Sequence, residues 1–157
     1  VLATLHANTS VSVITRLLNL GVTRELAAAT LRLVVAQRLV RRPCPHCAVH
    51  EPAGETTCAE FGWDAKAPPR IPRTRGCPLC GHLGHAGRLG IYEMVSVDRE
   101  LREAILAGAS EDRMTDQVFA QRHLPTLAQD GADKIAAGLT TPEEVRRVTF
   151  LGEGEAG

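Results

Sequence analysis

The sequence predicts an α+β fold, mainly helical, with a cysteine-organised lobe inserted into it. Three observations carry that expectation. Apolar residues recur at helical spacing behind good N-cap residues in several segments. Two stretches, 1–5 and 87–95, read as strands. Two C-x-x-C pairs, Cys44 with Cys47 and Cys77 with Cys80, are separated by 29 residues.

Taken in order, Val1, Leu2, Ala3, Thr4 and Leu5 read as a strand already under way. With no initiator Met and no basic-then-apolar leader, the chain reads as a piece of something longer. His6, Ala7, Asn8, Thr9 and Ser10 form a polar turn, and Val11, Ile14, Leu17 and Leu18 predict a helix over 11–20 that Gly21 stops. Thr23 caps a longer helix expected over 24–40, apolar nearly all round, with Thr30, Gln37 and Arg41 on one side facing a ligand, a neighbour or solvent. Residues 48–76, with four of the nine prolines and the basic run Arg70, Arg73 and Arg75, predict an irregular excursion clamped at its base by metal. In 87–95, Ile91 and Leu89 fall on one face of a strand and Arg88 and Tyr92 on the other. Asp98 caps a helix carrying Leu101, Ile105 and Leu106, and Ser110 opens another, to about Arg122, with Glu111 and Asp112 in its first turn. A helix over 125–137 ends at Gly138. Thr141, Pro142 and Glu144 then give a capping-box signature for a last helix to about Thr149, followed by a frayed tail over 152–157.

Composition bounds the function. Eighteen Lys+Arg balance 18 Asp+Glu, with 44% hydrophobic and 3% aromatic residues, which excludes collagen, disordered chains and mucin-like stalks. The longest apolar stretch, 26–40, is broken by Thr30, Arg32, Gln37 and Arg38. It falls short of the roughly 18 uninterrupted apolar residues of a spanning helix, so no membrane crossing is expected. The neutral total hides a split. Residues 1–88 carry 11 basic against 5 acidic side chains, and residues 89–157 carry 7 against 13, which suggests regions with different partners, or with each other as partners.

Five cysteines, an odd number, and no secretory leader argue against a disulfide framework. Two C-x-x-C turns suit tetrahedral Zn²⁺, because each presents two thiolates and two turns close a four-sulfur shell of Cys44, Cys47, Cys77 and Cys80. Pro45 and Pro78 stiffen the turns, and Gly81 lets backbone N–H groups approach sulfur. The competing readings are four reduced thiols in an apolar cluster, or redox work, which needs a C-x-x-C at a helix N-terminus after a strand. His46, His50, His82 and His85 crowd the turns as substitute ligands, and Cys58 reads as a loop or small-core thiol.

Seven motifs then occur in one order: T-L-H-x-N at 4–8, I-T-R-L at 14–17, A-Q-R-L-V-R at 36–41, C-P-x-C at 44–47, C-x-x-C-G at 77–81, G-R-x-G-I-Y-E at 87–93 and D-G-x-x-K-I-x-x-G-x-T at 130–140. Together they resemble the C-terminal part of the secretion ATPases that drive type II secretion and type IV pilus assembly. The resemblance covers roughly 1–150. It implies the C-terminal piece of a RecA-like P-loop ATPase domain over 1–43, a tetracysteine zinc lobe over 44–95 and a C-terminal helical region over 96–151. It further implies ATP and Mg²⁺ as cofactors of the intact subunit, a homo-hexamer, and a cytoplasmic location peripheral to the inner membrane. The implied partners are the inner-membrane platform protein and a cytoplasmic adaptor. The tetracysteine element favours the extrusion or assembly branch, since retraction motors of the family lack it.

By position, His6 matches the second histidine of the family's His box, which senses the γ-phosphate and the catalytic glutamate. An imidazole just past a strand end can hydrogen-bond a phosphate oxygen; the bland alternative is a capping or loop histidine. Arg16 matches a family arginine and, with Gln37, is a candidate nucleotide or intersubunit residue. The departures are the lack, within these residues, of G-x-x-x-x-G-K-[ST], of a Walker-B acidic residue before Val1 and of the first His-box histidine. His85 and Leu89 stand where the family usually shows Tyr and Thr. The leading expectation is therefore a C-terminal motor fragment, inactive by itself. The alternative is a free-standing zinc-ribbon module binding nucleic acid. Single, scattered aromatics (Phe61, Trp63, Tyr92, Phe119 and Phe150) speak against that, and no nucleic-acid partner is expected.

Overall fold

The computed structural model describes residues 1–149; the tail expected at 152–157 lies outside the described residues. Among the described residues, seven α-helices and two two-stranded sheets make an α+β fold. No helix there is long and apolar enough to cross a membrane. The chain divides into two compact units, each assembled from separate stretches: Val1–Ala36 with Tyr92–Thr126, and Gln37–Ile91 with Leu127–Gly157.

The first unit begins irregularly. Residues 1–7, expected to begin with a strand over 1–5, are in neither helix nor strand, and Val1 and Leu2 lie fully exposed. Helix α1 (Ser10–Asn19) starts one residue before the expected position 11: the Thr9 hydroxyl accepts from Ser12 N–H and the Ser12 hydroxyl accepts from Thr9 N–H, a reciprocal cap. Its Val11 and Ile14 are buried, and Gly21, at φ +91°, turns the chain out of it.

Helix α2 (Arg24–Thr30) corrects the sequence expectation. It is capped by Thr23 as predicted, but it ends after seven residues, and 33–43 form strand β1 (Leu33–Pro43). The helix-favouring run Ala27, Ala28 and Ala29 gives way to Val34 and Val35, whose branched side chains fit a pleated strand better than a helix turn. Val34, Ala36 and Val40 are buried while Leu33, Val35 and Leu39 are exposed, a period of two. The polar side expected for one helix is therefore split, with Thr30 on α2 and Gln37 and Arg41 on the exposed side of β1.

Strand β1 is paired with a long strand near the middle of the chain, His85–Ser96. In that strand Ile91, Glu93 and Val95 are buried and Tyr92 and Met94 exposed, as the alternation predicts. Asp98 then accepts from Leu101 N–H at 3.0 Å and caps a helix over Arg99–Leu106. Ser110 caps the next, Glu111–Thr115, which widens into a π-helical turn over Asp116–Gln121 in place of continuing as one α-helix. The core of this unit gathers Val11, Ile14, Ala27, Ala28, Val34, Val95, Val97, Leu101, Ile105, Met114 and Val118.

In the second unit, the excursion expected to be irregular is ordered. Strand β2 (Ala48–Pro52) runs antiparallel to β3 (Arg70–Thr74), with Ala48 opposite Thr74 and Pro52 opposite Arg70. Proline was the misleading signal: Pro52 ends one strand and Pro72 lies in a two-stranded ribbon, where every strand is an edge and a missing N–H is tolerated. Between them lies α3 (Glu55–Phe61), whose Cys58 is fully buried with its thiol 3.7 Å from the Ala53 carbonyl. With β4 as His85–Ser96, α4 as Arg99–Leu106 and α5 as Glu111–Thr115, the last helices are α6 (Leu127–Ala136) and α7 (Pro142–Thr149). Gly131 of α6 faces Val145 of α7 so closely that a Cβ there would lie 2.6 Å from a valine methyl.

One carboxylate ties α7 to β1. Glu144, whose side chain is 2% exposed, accepts from the Arg41 N–H at 2.9 Å, from the Arg41 guanidinium at 2.6 Å and from Arg147 at 2.9 Å. The Thr140 hydroxyl donates to the Arg41 carbonyl at 2.9 Å. The capping-box reading thus placed the helix start correctly, but the expected Glu at its third position works across the unit rather than on its own cap. Burial alone would raise the Glu144 pKa; the hydrogen bonds from Arg41 and Arg147 outweigh it and hold it down to about 2.

Glu144→Gln should therefore cost roughly 2–3 kcal/mol at neutral pH by leaving two arginines without their shared anion. Because the folded-state pKa lies below the unfolded value, this contribution is present above about pH 4.5 and is lost as pH falls towards 2. Denaturant unfolding of both proteins across that range should show the gap closing; a gap that stays constant with pH would contradict the assignment.

Candidate metal centre

The two C-x-x-C pairs meet because the β2–β3 ladder starts one residue after Cys47 and ends three residues before Cys77. An antiparallel pair returns the chain to its starting edge, so residues flanking its open end become neighbours despite a long sequence gap. Each pair occupies a tight turn. Around the first, Ala48 N–H donates to the Cys44 carbonyl at 2.9 Å; around the second, Pro78–Cys80 form a single 3-10 turn. Both pairs follow strands, yet neither opens an α-helix, and that helix is the setting redox C-x-x-C chemistry uses.

The sulfurs converge. The Sγ atoms of Cys44, Cys47, Cys77 and Cys80 all lie within 4.8 Å of one another. Cys44 and Cys77 are 4.0 Å apart and Cys77 and Cys80 3.7 Å. Four sulfurs placed tetrahedrally about 2.3 Å from one ion are separated by about 3.8 Å. The cluster therefore has the dimensions of a metal-thiolate shell, and its sulfurs are too far apart for the roughly 2.05 Å of a disulfide.

Backbone donors aim at the same centre. Cys77 N–H and Gly84 N–H donate to the Cys80 sulfur at 3.3 and 3.2 Å. The Cys77 N–H first, and then Gly84, outweigh desolvation and hold the Cys80 thiol down to about 6. Desolvation pushes the Cys47 thiol up to about 11. Those donors favour the Cys80 thiolate, the form that a divalent cation binds.

Two glycines make the approach possible. Gly76, at φ +83°, has the His82 carbonyl 2.6 Å from where a Cβ would sit, and Gly84, at φ +73°, has the Thr74 hydroxyl 2.7 Å away. Sequence reasoning singled out Gly81, which does adopt φ +60°, but missed these two; their signal was position, one residue before and four residues after the second pair. Of the nearby histidines, His46, His50 and His82 are exposed, and His85 Nδ1 lies 2.9 Å from the Leu83 carbonyl. None of them joins the group of converging donors among the described residues. Cys58 is in its own helix, outside the cluster.

The other sequence candidates stand apart from this centre. His6 is exposed in the irregular segment before α1, Arg16 is exposed on α1 opposite the buried Val11 and Ile14, and Gln37 is exposed on β1. Two ionic contacts brace the unit that holds the cysteines: Arg73 to Glu143 at 2.8 Å, and a two-pronged Arg146 to Glu60 contact at 2.7 and 2.6 Å, with the same guanidinium over Phe61.

Comparison with known proteins agrees over nearly the whole chain. A family model described as Type II/IV secretion system protein matches residues 1–147. Type II secretion system protein E of Pseudomonas aeruginosa is 44% identical over 149 residues, 95% of this chain and 29% of that protein. Type II secretion system ATPase E of Vibrio cholerae is 41% identical over 149 residues, again 95% and 29%. Type IV pilus assembly ATPase TfpB of Acinetobacter baylyi is 41% identical over 153 residues, 96% of this chain and 26% of that protein. The chain spans less than a third of the length of these curated relatives.

Elemental analysis of the purified protein is expected to give about one divalent ion per chain. Cys77→Ser should release it and lower the melting temperature, and Cys58→Ser should keep it. Retention by the first variant or loss by the second would overturn the ligand set.

Proposed function

The chain belongs to the type II/IV secretion system protein family, and from that premise we propose that it is the C-terminal part of a motor ATPase subunit that extrudes pseudopilin or pilin. The observation that carries the reading is the match over residues 1–147 with proteins named for type II secretion and type IV pilus assembly. Residues 1–43 belong on this reading to a RecA-like ATPase domain. The subunit works as a cytoplasmic homo-hexamer against an inner-membrane platform protein and an adaptor.

The ion at Cys44, Cys47, Cys77 and Cys80 is Zn²⁺, in a structural role. Support comes from the donor set: four thiols suit a borderline-soft cation with no geometric preference of its own, and four protein ligands leave no open position for catalysis. The ion would fix both turns at the open end of the β2–β3 ladder and so contribute folding free energy to that unit.

His6 is the residue we assign to the reaction, as the γ-phosphate-sensing histidine; Arg16 and Gln37 are nucleotide or intersubunit contacts. Support is the exposure of all three to the surroundings of the chain. ATP binding and Mg²⁺ coordination fall to a phosphate-cradling loop and a Walker-B acid that these 157 residues do not contain. Charge redistributes on the γ-phosphate as its bond to the leaving group breaks. A donor placed there stabilises the transition state more than the bound substrate.

The purified 157-residue chain should accordingly hydrolyse no ATP. In the intact hexamer His6→Ala should lower kcat on the order of 10²-fold with a smaller change in ATP affinity. Single-turnover hydrolysis and nucleotide affinity on the same variant are the measurements, and wild-type hydrolysis by that variant would return His6 to a loop role.

A further inference from the structure

We infer that Gly84 is a positioning residue that joins the two cysteine pairs into one metal shell; the inference rests on the assignment of an ion to the four cysteines made above. Gly84 is buried, four residues beyond Cys80 and one before β4. Its N–H donates to the Cys80 sulfur at 3.2 Å, and its carbonyl accepts from the Cys44 N–H at 2.9 Å. The backbone of this one residue therefore touches a ligand residue of each pair.

Two ladders meet at this point. Cys44 directly follows β1 and Gly84 directly precedes β4, and those strands are paired, so the bond between the two residues lies just beyond the strand ends. The β2–β3 ladder brings the Cys47 side of the first pair to the Cys77 side of the second. Gly84 ties the other two, Cys44 and Cys80. A four-sulfur shell needs both connections, because either alone leaves one ligand of each pair free to swing on its turn. The N–H also faces a sulfur that carries negative charge when it binds an ion, and a donor to a ligating atom both orients it and offsets that charge.

Only a residue without a side chain fits there. Gly84 adopts φ +73°, and a Cβ on it would lie 2.7 Å from the Thr74 hydroxyl and 2.9 Å from the Thr74 Cβ. Thr74 ends β3, where it is paired with Ala48, so its Cβ moves only with the strand. Any added side chain has to push the Gly84 backbone away from Thr74, and hydrogen bonds to Cys80 and Cys44 weaken steeply as they lengthen and tilt. The same unit contains a natural comparison. Gly62 also has φ +73°, yet nothing lies within 4 Å of where its Cβ would sit, so a side chain there brings the backbone strain without the crowding.

The test is the Zn²⁺ affinity of the 157-residue chain, measured by competition with a chromophoric chelator, for the wild type, Gly84→Ala, Gly62→Ala, Thr74→Gly and the Thr74→Gly/Gly84→Ala pair, with circular dichroism to report folding. Gly84→Ala should weaken Zn²⁺ binding by about 10-fold to 100-fold. Gly62→Ala should lower the melting temperature and leave the affinity unchanged. Thr74→Gly keeps both contacts of Gly84 and should bind as the wild type does, and the double variant should recover most of the loss, since the space for the new methyl is then open. Should Gly84→Ala fail to fold, Thr74→Ile carries the test: it crowds the same space from a strand position with a residue that suits strands, so it should weaken binding as well. The inference falls if Gly84→Ala holds Zn²⁺ as tightly as Gly62→Ala, if Thr74→Gly recovers none of its loss, or, where Thr74→Ile carries the test, if that variant keeps wild-type affinity. A wild-type chain that binds no Zn²⁺ is a separate result: it removes the ion itself, and the inference with it.

Discussion

Four sulfurs within 4.8 Å of one another are a demand as much as a site. Ionised, they repel strongly at that distance; protonated, they are four weak hydrogen-bonders in a partly desolvated pocket. A single divalent cation resolves both problems, and everything around it makes its approach geometrically cheap. The β2–β3 ladder returns the chain to its own edge, Gly76 and Gly84 permit contacts that a Cβ would block, and two N–H groups donate to the Cys80 sulfur.

The same economy explains the two buried glutamates. Glu93 in one unit and Glu144 in the other each bind a distant backbone N–H together with a side chain, of Ser10 and of Arg41. Each couples a strand to a helix far away in sequence, 83 residues in the first case and 103 in the second. Apolar packing tolerates sliding, whereas a carboxylate held by directional donors does not. The glutamates set the register of elements whose small cores would leave it less well defined.

Several motif residues acquire a physical role in this way. Arg41 closes A-Q-R-L-V-R and holds Glu144; Glu93 closes G-R-x-G-I-Y-E and holds Ser10; Gly131 and Thr140 of the last motif admit Val145 and hold the Arg41 carbonyl. These positions serve architecture on the evidence of their contacts. His6, Arg16 and Gln37 differ in kind: they are exposed, and their sequence context, rather than burial, marks them.

What the sequence determined by itself was local. Thr23, Asp98 and Ser110 cap helices as read, since a cap is a contact between residues three apart. The alternation of β4 and the grouping of the four cysteines were also legible, the first from its period and the second because thiols in C-x-x-C pairs have few other uses. The tertiary structure alone decided what depends on a partner far along the chain. Residues 24–40 gave up half a helix to become β1, since an apolar run takes its period from what it packs against. Residues 48–76 became a ladder when β2 found β3. Glu144 left its own cap for Arg41, because a carboxylate enclosed by the fold is bound by whichever donors the fold brings to it, and no pattern of neighbouring residues encodes which those are.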